Sequence, residues 1–266
     1  MERCNPLAPF TRRDPGLRRD DGNGRTMTGR RKWLVGIGSG ALLLFAVSLG
    51  LWHVAKAWCF VLAGEVTCRV ETREPIVALS LDDGPTPEGT LAALAALERG
   101  GARATFFLIG RQVERNPDEV RRILAAGHEA ANHSWSHKWM IGRSSAWYDE
   151  EIARTAAALQ RLGARGPLLF RPPFGKKLFG LPLAAARQRH RMVMWDVAEP
   201  DTQDPRAYAA YVVQRARPGS IILMHVMYRS NRVAREALPL VLDGLRRKGL
   251  RVVTVGELLA RAERER

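Results

Sequence analysis

From Ile76 onward the chain alternates short apolar runs with amphipathic segments, and this alternation restricts the fold more than any other feature. Seven runs recur, at 76–81, 105–109, 128–132, 168–171, 192–196, 221–225 and 251–255. Each is four to six residues long, the length of a strand rather than of a helix. Between and after them lie helical patterns rich in Ala, Leu, Arg and Glu, at 88–99, 117–126, 148–162, 181–189, 205–216, 233–248 and 257–265. Strands separated by helices predict a parallel sheet wrapped by helices, an α/β fold. Asn116-Pro117 and Asp204-Pro205 supply helix-start chemistry, and Gly127, Gly163 and Gly249 stand where helices should stop. With no internal repeat and no low-complexity linker, one domain over 76–266 is expected.

In α/β barrels the side chains that do chemistry stand at the C-terminal ends of strands and in the loops that follow. The polar residues here obey that rule: Asp82 and Asp83, His133, Arg171, Asp196 and His225 each end or follow a different apolar run. A common rim would gather them.

Four short motifs carry the chemistry. Asp82-Asp83-Gly84-Pro85 sets adjacent carboxylates at a strand end, pointing different ways because successive side chains alternate. One could hold a metal while the other faces water, or the group could be a turn cap. His133-Ser134-Trp135-Ser136-His137 spaces two imidazoles for one face of a helical turn. Joined to Asp83 they make a three-ligand site of mixed N and O donors with room for water and substrate. Arg171-Pro172-Pro173-Phe174-Gly175 is stiffened by two prolines that lack amide donors, leaving the Phe174 amide for a developing oxyanion and Arg171 for a carboxylate; a structural turn is the other reading. Leu223-Met224-His225 ends in a lone imidazole, a structural histidine or, opposite a metal, a general acid.

In this order the four motifs resemble those of the polysaccharide deacetylases, carbohydrate esterase family 4, over about 76–259. The resemblance implies a distorted seven-stranded (β/α) barrel and metal-dependent hydrolysis of an N-acetyl group on a sugar. It makes Asp82 the general base, Asp83, His133 and His137 the metal ligands, Arg171 the group that orients Asp82, and His225 the general acid, with the oxyanion at the Phe174 amide. Zn2+ suits one Asp and two His, while Co2+, Ni2+ and Fe2+ tolerate the same donors. The family's fourth motif is altered. An ungapped match places Ala198 at its usual first Asp, Asp201 at its second and Thr202 at its Trp, so the acid that pairs with the catalytic histidine falls to Asp196 or Glu199, with Asp196 favoured. Phe174 also stands where many relatives carry Tyr. The expected substrate is an N-acetylated envelope or exported glycan, peptidoglycan included. Two alternatives stand beside it: an amide hydrolase acting on a lipid-linked sugar or small amide, and a noncatalytic glycan-binding protein of the same fold.

The N-terminal part has a different character. Residues 33–52 run for 20 positions without a charged side chain, bracketed by Trp33 and Trp52 and preceded by Arg30, Arg31 and Lys32. This predicts a single-pass transmembrane signal-anchor with its basic flank in the cytoplasm and the domain outside, in the inner or cell membrane. A cleaved secretory signal is the alternative. Residues 1–32 carry nine Lys and Arg, four acids and three Pro, the composition of a flexible cytoplasmic tail, and Met27 offers an alternative start. Residues 53–75 form a membrane-proximal segment in which Cys59 and Cys68, flanking the turn-like Ala63-Gly64, either pair or remain two small buried thiols. The formal charge of +15 would suggest nucleic acid in a soluble protein, but for an exported domain it points to anionic envelope polymers and headgroups, and no nucleic-acid partner is expected. With 46% hydrophobic and 26% charged residues, disorder is excluded for the bulk of the chain.

Overall fold

Strand β1 (Ile76–Gly84) is the axis of the fold, and in the computed structural model it pairs in parallel with three other strands. The model describes residues 42–50, 52, 59–166 and 168–265. Along one edge of β1 run β5 (Arg251–Val253), opposite 76–78, and then β2 (Thr105–Leu108), opposite the C-terminal half. The other edge pairs with β4 (Ile221–His225) from Ala78↔Ile221 to Asp82↔His225. The sheet continues from β2 to β3 (Glu129–Asn132). Single parallel bridges then carry the pairing onward, from Asn132 to Phe170, from Phe170 to Met192 and from Val197 to Ile222 of β4.

The seven apolar runs therefore resolve into five strands and two runs that pair only at isolated bridges. In the second of these runs Arg171 occupies two backbone acceptors. Its Nε and Nη2 donate to the carbonyls of Val193 and Met194 at 3.2 and 2.9 Å, so a side chain takes acceptors that a regular ladder would use.

Helices α1 (Pro87–Arg99), α2 (Gly110–Arg115), α3 (Pro117–Ala125), α4 (Ser145–Arg161), α5 (Gly180–Arg187), α6 (Pro205–Arg215), α7 (Arg232–Arg247) and α8 (Val255–Arg264) follow the predicted segments, with α2 an addition that the apolar pattern did not signal. Asp204 caps α6 by accepting from the Arg206 amide, whereas the Asn116 side chain instead donates to the carbonyls of Pro85 and Gln112. Gly127, Gly163 and Gly249, with φ of 77°, 106° and 78°, each lie one residue beyond a helix C-cap, in the left-handed conformation that glycine adopts without penalty.

The period of two divides the core. Val77, Leu79 and Leu81 pack outward with Phe106, Leu108, Ile222 and Met224 against the helices. Ile76, Ala78, Phe107, Ile221 and Leu223 pack on the other face with Val193, Met194 and Trp195, and Leu258 and Leu259 of α8 join that cluster. Ser80 and Asp82 continue the row of Ile76 and Ala78, and His225 continues that of Ile221 and Leu223.

Cys59 and Cys68 form a disulfide around a turn with Gly64 at φ 78°. The segment after it joins the sheet, the Thr67 amide donating to Met192 O and the Met194 amide to Thr67 O. Among the described residues no helix is long and apolar enough to cross a membrane. Of the expected anchor, residues 42–50 and 52 are helical and exposed; its other positions, the tail over 1–32 and residues 53–58 lie outside the described residues.

Candidate active site

Asp82 and Asp83 both reach one cleft. The pairing of β1 with β2 slips between Asp82 and Gly84, and Asp83 takes φ 74°, so the strict alternation that would send the two side chains apart is broken at the strand end. Asp83 Oδ1 lies 3.4 Å from His133 Nε2 and 3.0 Å from His137 Nε2, and Asp82 Oδ2 lies 3.8 Å from His133 Nε2.

His133 and His137 converge without a helical turn. The segment between them is a loop with Ser134 at φ 62° and His137 at φ 55°. Its amides are taken by side chains: Asn132 Oδ1 accepts from Ser134 N at 3.0 Å, and Glu151 Oε2 of α4 accepts from Trp135 N at 3.0 Å and Ser136 N at 2.8 Å. The left-handed backbone at Ser134 and His137 is what a right-handed helical turn cannot contain. His133 Nδ1 donates to the Arg171 carbonyl at 2.8 Å, which leaves Nε2 a lone pair facing Asp83.

The donor set fits a metal. Asp83, His133 and His137 each offer one ligand atom within 4.8 Å of the others, and Asp83 Oδ1 is buried with no hydrogen-bond partner among the described residues. Burial opposes the Asp83 charge, yet the two histidines hold its carboxyl far below the usual carboxylate range. An uncompensated buried carboxylate oxygen aimed at two imidazole nitrogens is what a cation would satisfy.

Arg171 is fully buried, with 0% of its surface exposed, stacked 4.0 Å above the Phe107 ring. Besides the two carbonyls, it donates from Nη1 to Ser80 Oγ at 2.9 Å and to Asp82 Oδ1 at 2.6 Å. Burial lowers its pKa and Asp82 works the other way. Such a charge is tolerable inside a protein only because its donors find acceptors. The consequence is an Asp82 fixed by one oxygen, with the other turned to the cleft.

His225 stands across from the histidine pair, its Nε2 3.8 Å from Asp83 Oδ2. Its partner is Glu199, not Asp196. Glu199 Oε2 lies 2.7 Å from His225 Nδ1, while Oε1 accepts from the His225 amide and from Tyr208 Oη of α6, each at 2.7 Å. Asp196 accepts from Ser220 Oγ and the Ile221 amide at 2.9 and 2.8 Å and so ties down the turn before β4. Pairing of Val197 with Ile222 advances the chain so that the acid three residues after Asp196 arrives level with His225. Burial alone would depress the His225 pKa, but the Glu199 hydrogen bond and the charges of Asp82, Glu199 and Asp83 push it up to about 9.

Phe174, 55% exposed, has φ 58° and lays its ring 4.7 Å from that of His137. The cleft, of about 320 Å³, is lined by Asp82, Asp83, His133, His137, Phe174, Trp195 and His225 among others. The structure brings Asp82, Asp83, His133, His137, Phe174 and His225 to one cleft with Arg171 buried behind Asp82, and it sets Asp196, expected as the partner of His225, at the turn before β4 instead. Sequence reasoning missed Asn132, Glu151, Ser80 and Tyr208, whose spacing carries no signal because each acts through a backbone group or another side chain. Trp135, between the two histidines, is core, and Trp139, two residues after His137, stands exposed near Phe174.

Comparison with known proteins gives a consistent result. Residues 69–192 match the family model described as polysaccharide deacetylase. A peptidoglycan-N-acetylglucosamine deacetylase of Bacillus cereus is 35% identical over 204 residues, covering 74% of this chain and 93% of that protein. The peptidoglycan-N-acetylmuramic acid deacetylase PdaC of Bacillus subtilis is 30% identical, covering 71% of this chain and 40% of that protein. Among solved structures, a peptidoglycan N-acetylglucosamine deacetylase superimposes with TM-score 0.69 at 31% identity, covering 73% of this chain and 92% of the other. A CE4 family pseudoenzyme from Bacillus anthracis gives TM-score 0.68 at 26% identity, covering 75% and 70%.

Proposed function

The chain belongs to the polysaccharide deacetylase family, and from that premise we propose that it removes N-acetyl groups from an N-acetylhexosamine glycan of the cell envelope, peptidoglycan foremost, with the help of a divalent metal. The observation that carries this reading is the orphaned Asp83 Oδ1 between two imidazole Nε2 atoms, with Asp82 and His225 on either side. Asp83, His133 and His137 would hold the ion, with Zn2+ first among those the donors suit. When bound, such an ion polarises an amide carbonyl and acidifies water, which an amide requires because it is both a weak electrophile and a poor leaving group.

The chain's own groups move the protons. Asp82, held at Oδ1 by Arg171, presents Oδ2 as the base that takes a proton from the attacking water. His225, kept protonated and oriented by Glu199, gives a proton to the departing amine. The Phe174 amide, in a loop whose prolines donate nothing, is assigned to the oxyanion. A noncatalytic reading has a solved pseudoenzyme as precedent, but the pairing of Asp82 with Arg171 and of His225 with Glu199 supports the catalytic one. The apolar stretch over 33–52 supports attachment to the cell membrane with the domain outside, and the Cys59–Cys68 pair suits an oxidising compartment.

Acetate release from peptidoglycan and chitooligosaccharides, with and without chelator, tests the reading. Chelator-sensitive release that Asp82→Asn abolishes is expected, and formate in place of acetate would overturn the acyl assignment. Carbonate-resistant membrane fractionation tests the anchor.

A further inference from the structure

Four large apolar side chains stand out from the domain surface where two segments meet. Phe60 and Leu62, 49% and 46% exposed, lie in the loop closed by the Cys59–Cys68 disulfide. Phe179 and Leu183, 57% and 43% exposed, stand four residues apart at the start of α5 and so share one face of it. The two segments touch: a Cβ built on Gly64 would lie 3.1 Å from the Cβ of Pro182, and Val66 of the loop packs on the same cluster as Leu181 and Ala185. The inner face of α5 is thus already packed, with Leu181, Pro182, Ala184 and Ala185 buried, and the outer apolar pair is left without a core to join.

Contiguous exposed apolar surface marks a contact. What covers this one follows from where the chain enters. Cys59 is the seventh residue after Trp52, which ends the uncharged stretch 33–52, so at most about 25 Å of extended chain separates them. Trp52 lies beside the loop that leads into α5: its ring is 6.3 Å from that of Trp139, and Trp139 is 6.4 Å from Phe174, five residues before Phe179. The charge agrees. Residues 172–190 hold four Lys and Arg and no acid, and Arg189, just past α5, is exposed. Against these stand Asp149, held by Arg187 at the far end of α5, and Glu65, the one acid in the disulfide loop. Apolar side chains flanked by basic ones, on a face tied closely to a membrane span, match the headgroup boundary of an anionic bilayer.

We propose that Phe60, Leu62, Phe179 and Leu183 form a foot that dips into the membrane boundary and turns the Phe174 side of the cleft toward anionic lipid headgroups. This rests on the reading of residues 33–52 as the membrane attachment. The foot adds an orientation that a single tethering helix does not supply.

The test is photolabelling of the full-length chain in nanodiscs of phosphatidylethanolamine and phosphatidylglycerol that carry a diazirine on the upper acyl chain, with adducts mapped by mass spectrometry. Adducts are expected at residues 60–62 and 179–183, about tenfold above those at Leu91 of α1 and Leu240 of α7, exposed apolar residues that serve as controls. Phe179→Ser combined with Leu183→Ser should reduce adducts at residues 60–62 about three- to tenfold, because the loop leaves the bilayer with the helix. Leu91→Ser combined with Leu240→Ser should leave them unaltered, and circular dichroism checks the folding of each variant. Adducts at the controls equal to those at the foot overturn the proposal. So does an unlabelled foot in a chain that sediments as a dimer in detergent and as a monomer after Phe179→Ser, which would make the face an interface between copies. Adducts within residues 33–52 are read separately. A labelled anchor with an unlabelled foot rejects the foot alone, whereas a labelled foot with an unlabelled anchor rejects the attachment and leaves the foot standing.

Discussion

Glu199 Oε2 lies 2.7 Å from His225 Nδ1, and the same carboxylate accepts the His225 backbone amide through Oε1. One side chain thus fixes both the ring and the strand end that bears it. Glu199→Gln should lower kcat by roughly 10²-fold while leaving the melting temperature nearly unchanged, since general acid-base groups typically contribute 10²- to 10⁴-fold. Asp196→Asn should do the reverse, costing about 1 kcal/mol of stability with kcat preserved, because its partners are Ser220 and Ile221. Paired kinetics and thermal melts decide. A larger kcat loss in Asp196→Asn than in Glu199→Gln would reject the pairing.

The three-ligand set should announce itself through stability as well as activity. A ligand that binds only the folded state raises stability as its concentration exceeds its Kd. Added Zn2+ is therefore expected to raise the melting temperature of the native chain and not that of Asp83→Ala or His137→Ala. Metal content by mass spectrometry should fall from about one ion per chain to a small fraction in both variants, the effect of removing a ligand from a three-ligand site. Retained stoichiometry in Asp83→Ala would show that the ion sits elsewhere.

Gly110 lies beneath the histidine loop. A Cβ built there would run into the Trp135 ring and the Thr155 hydroxyl. Gly110→Ala should cost about 1–3 kcal/mol as an overpacked core site. Because Trp135 lies between the two histidines in sequence, the variant should also bind metal more weakly. Denaturant melts and a competitive chelator titration read the two effects, and a stability loss with unaltered metal affinity would uncouple the loop from its floor.

His128 sits away from the cleft, with Ala104 N donating to its Nδ1 at 3.3 Å and its ring against Phe106. Burial, aided by the Arg103 charge, lowers its pKa from 6.5 to about 4. Between those values the unfolded chain binds the proton and the folded one does not, so stability rises with pH. Its contribution is complete above about 6.5 and fades as pH falls toward about 4. Melting temperatures from pH 7 to 4 should drop more steeply in the native chain than in His128→Gln. Parallel curves would refute this.

Much of the site was legible because polar residues interrupt apolar runs at strand ends, and strand ends share a rim. The period of two runs on to Asp82, on the face that Arg171 enters. What escaped depends on backbone that leaves the regular pattern. The slip after Asp82 turns Asp83 into the cleft, and nothing in Asp-Asp-Gly-Pro announces it. The shift from Asp196 to Glu199 follows from a single bridge between Val197 and Ile222, a register that neither acid reveals by its identity. His133 to His137 satisfied a helical spacing yet folds as a loop, since Ser134 and His137 take positive φ, in a bend whose amides Glu151 of a later helix holds.

Ile76 pairs with Arg251 and Asp82 with His225, so the strand that bears the two carboxylates is synthesised first and completed last. A growing chain holds β1 with half of one edge and all of the other open until its final segments emerge, and loop closure over such separations is slow. Ion capture is tied to the same schedule, because Asp83 meets the histidines only once β1 and β3 have both joined β2. Early intermediates should therefore be blind to metal, and the moment at which the chain begins to retain an ion would time the assembly of its centre.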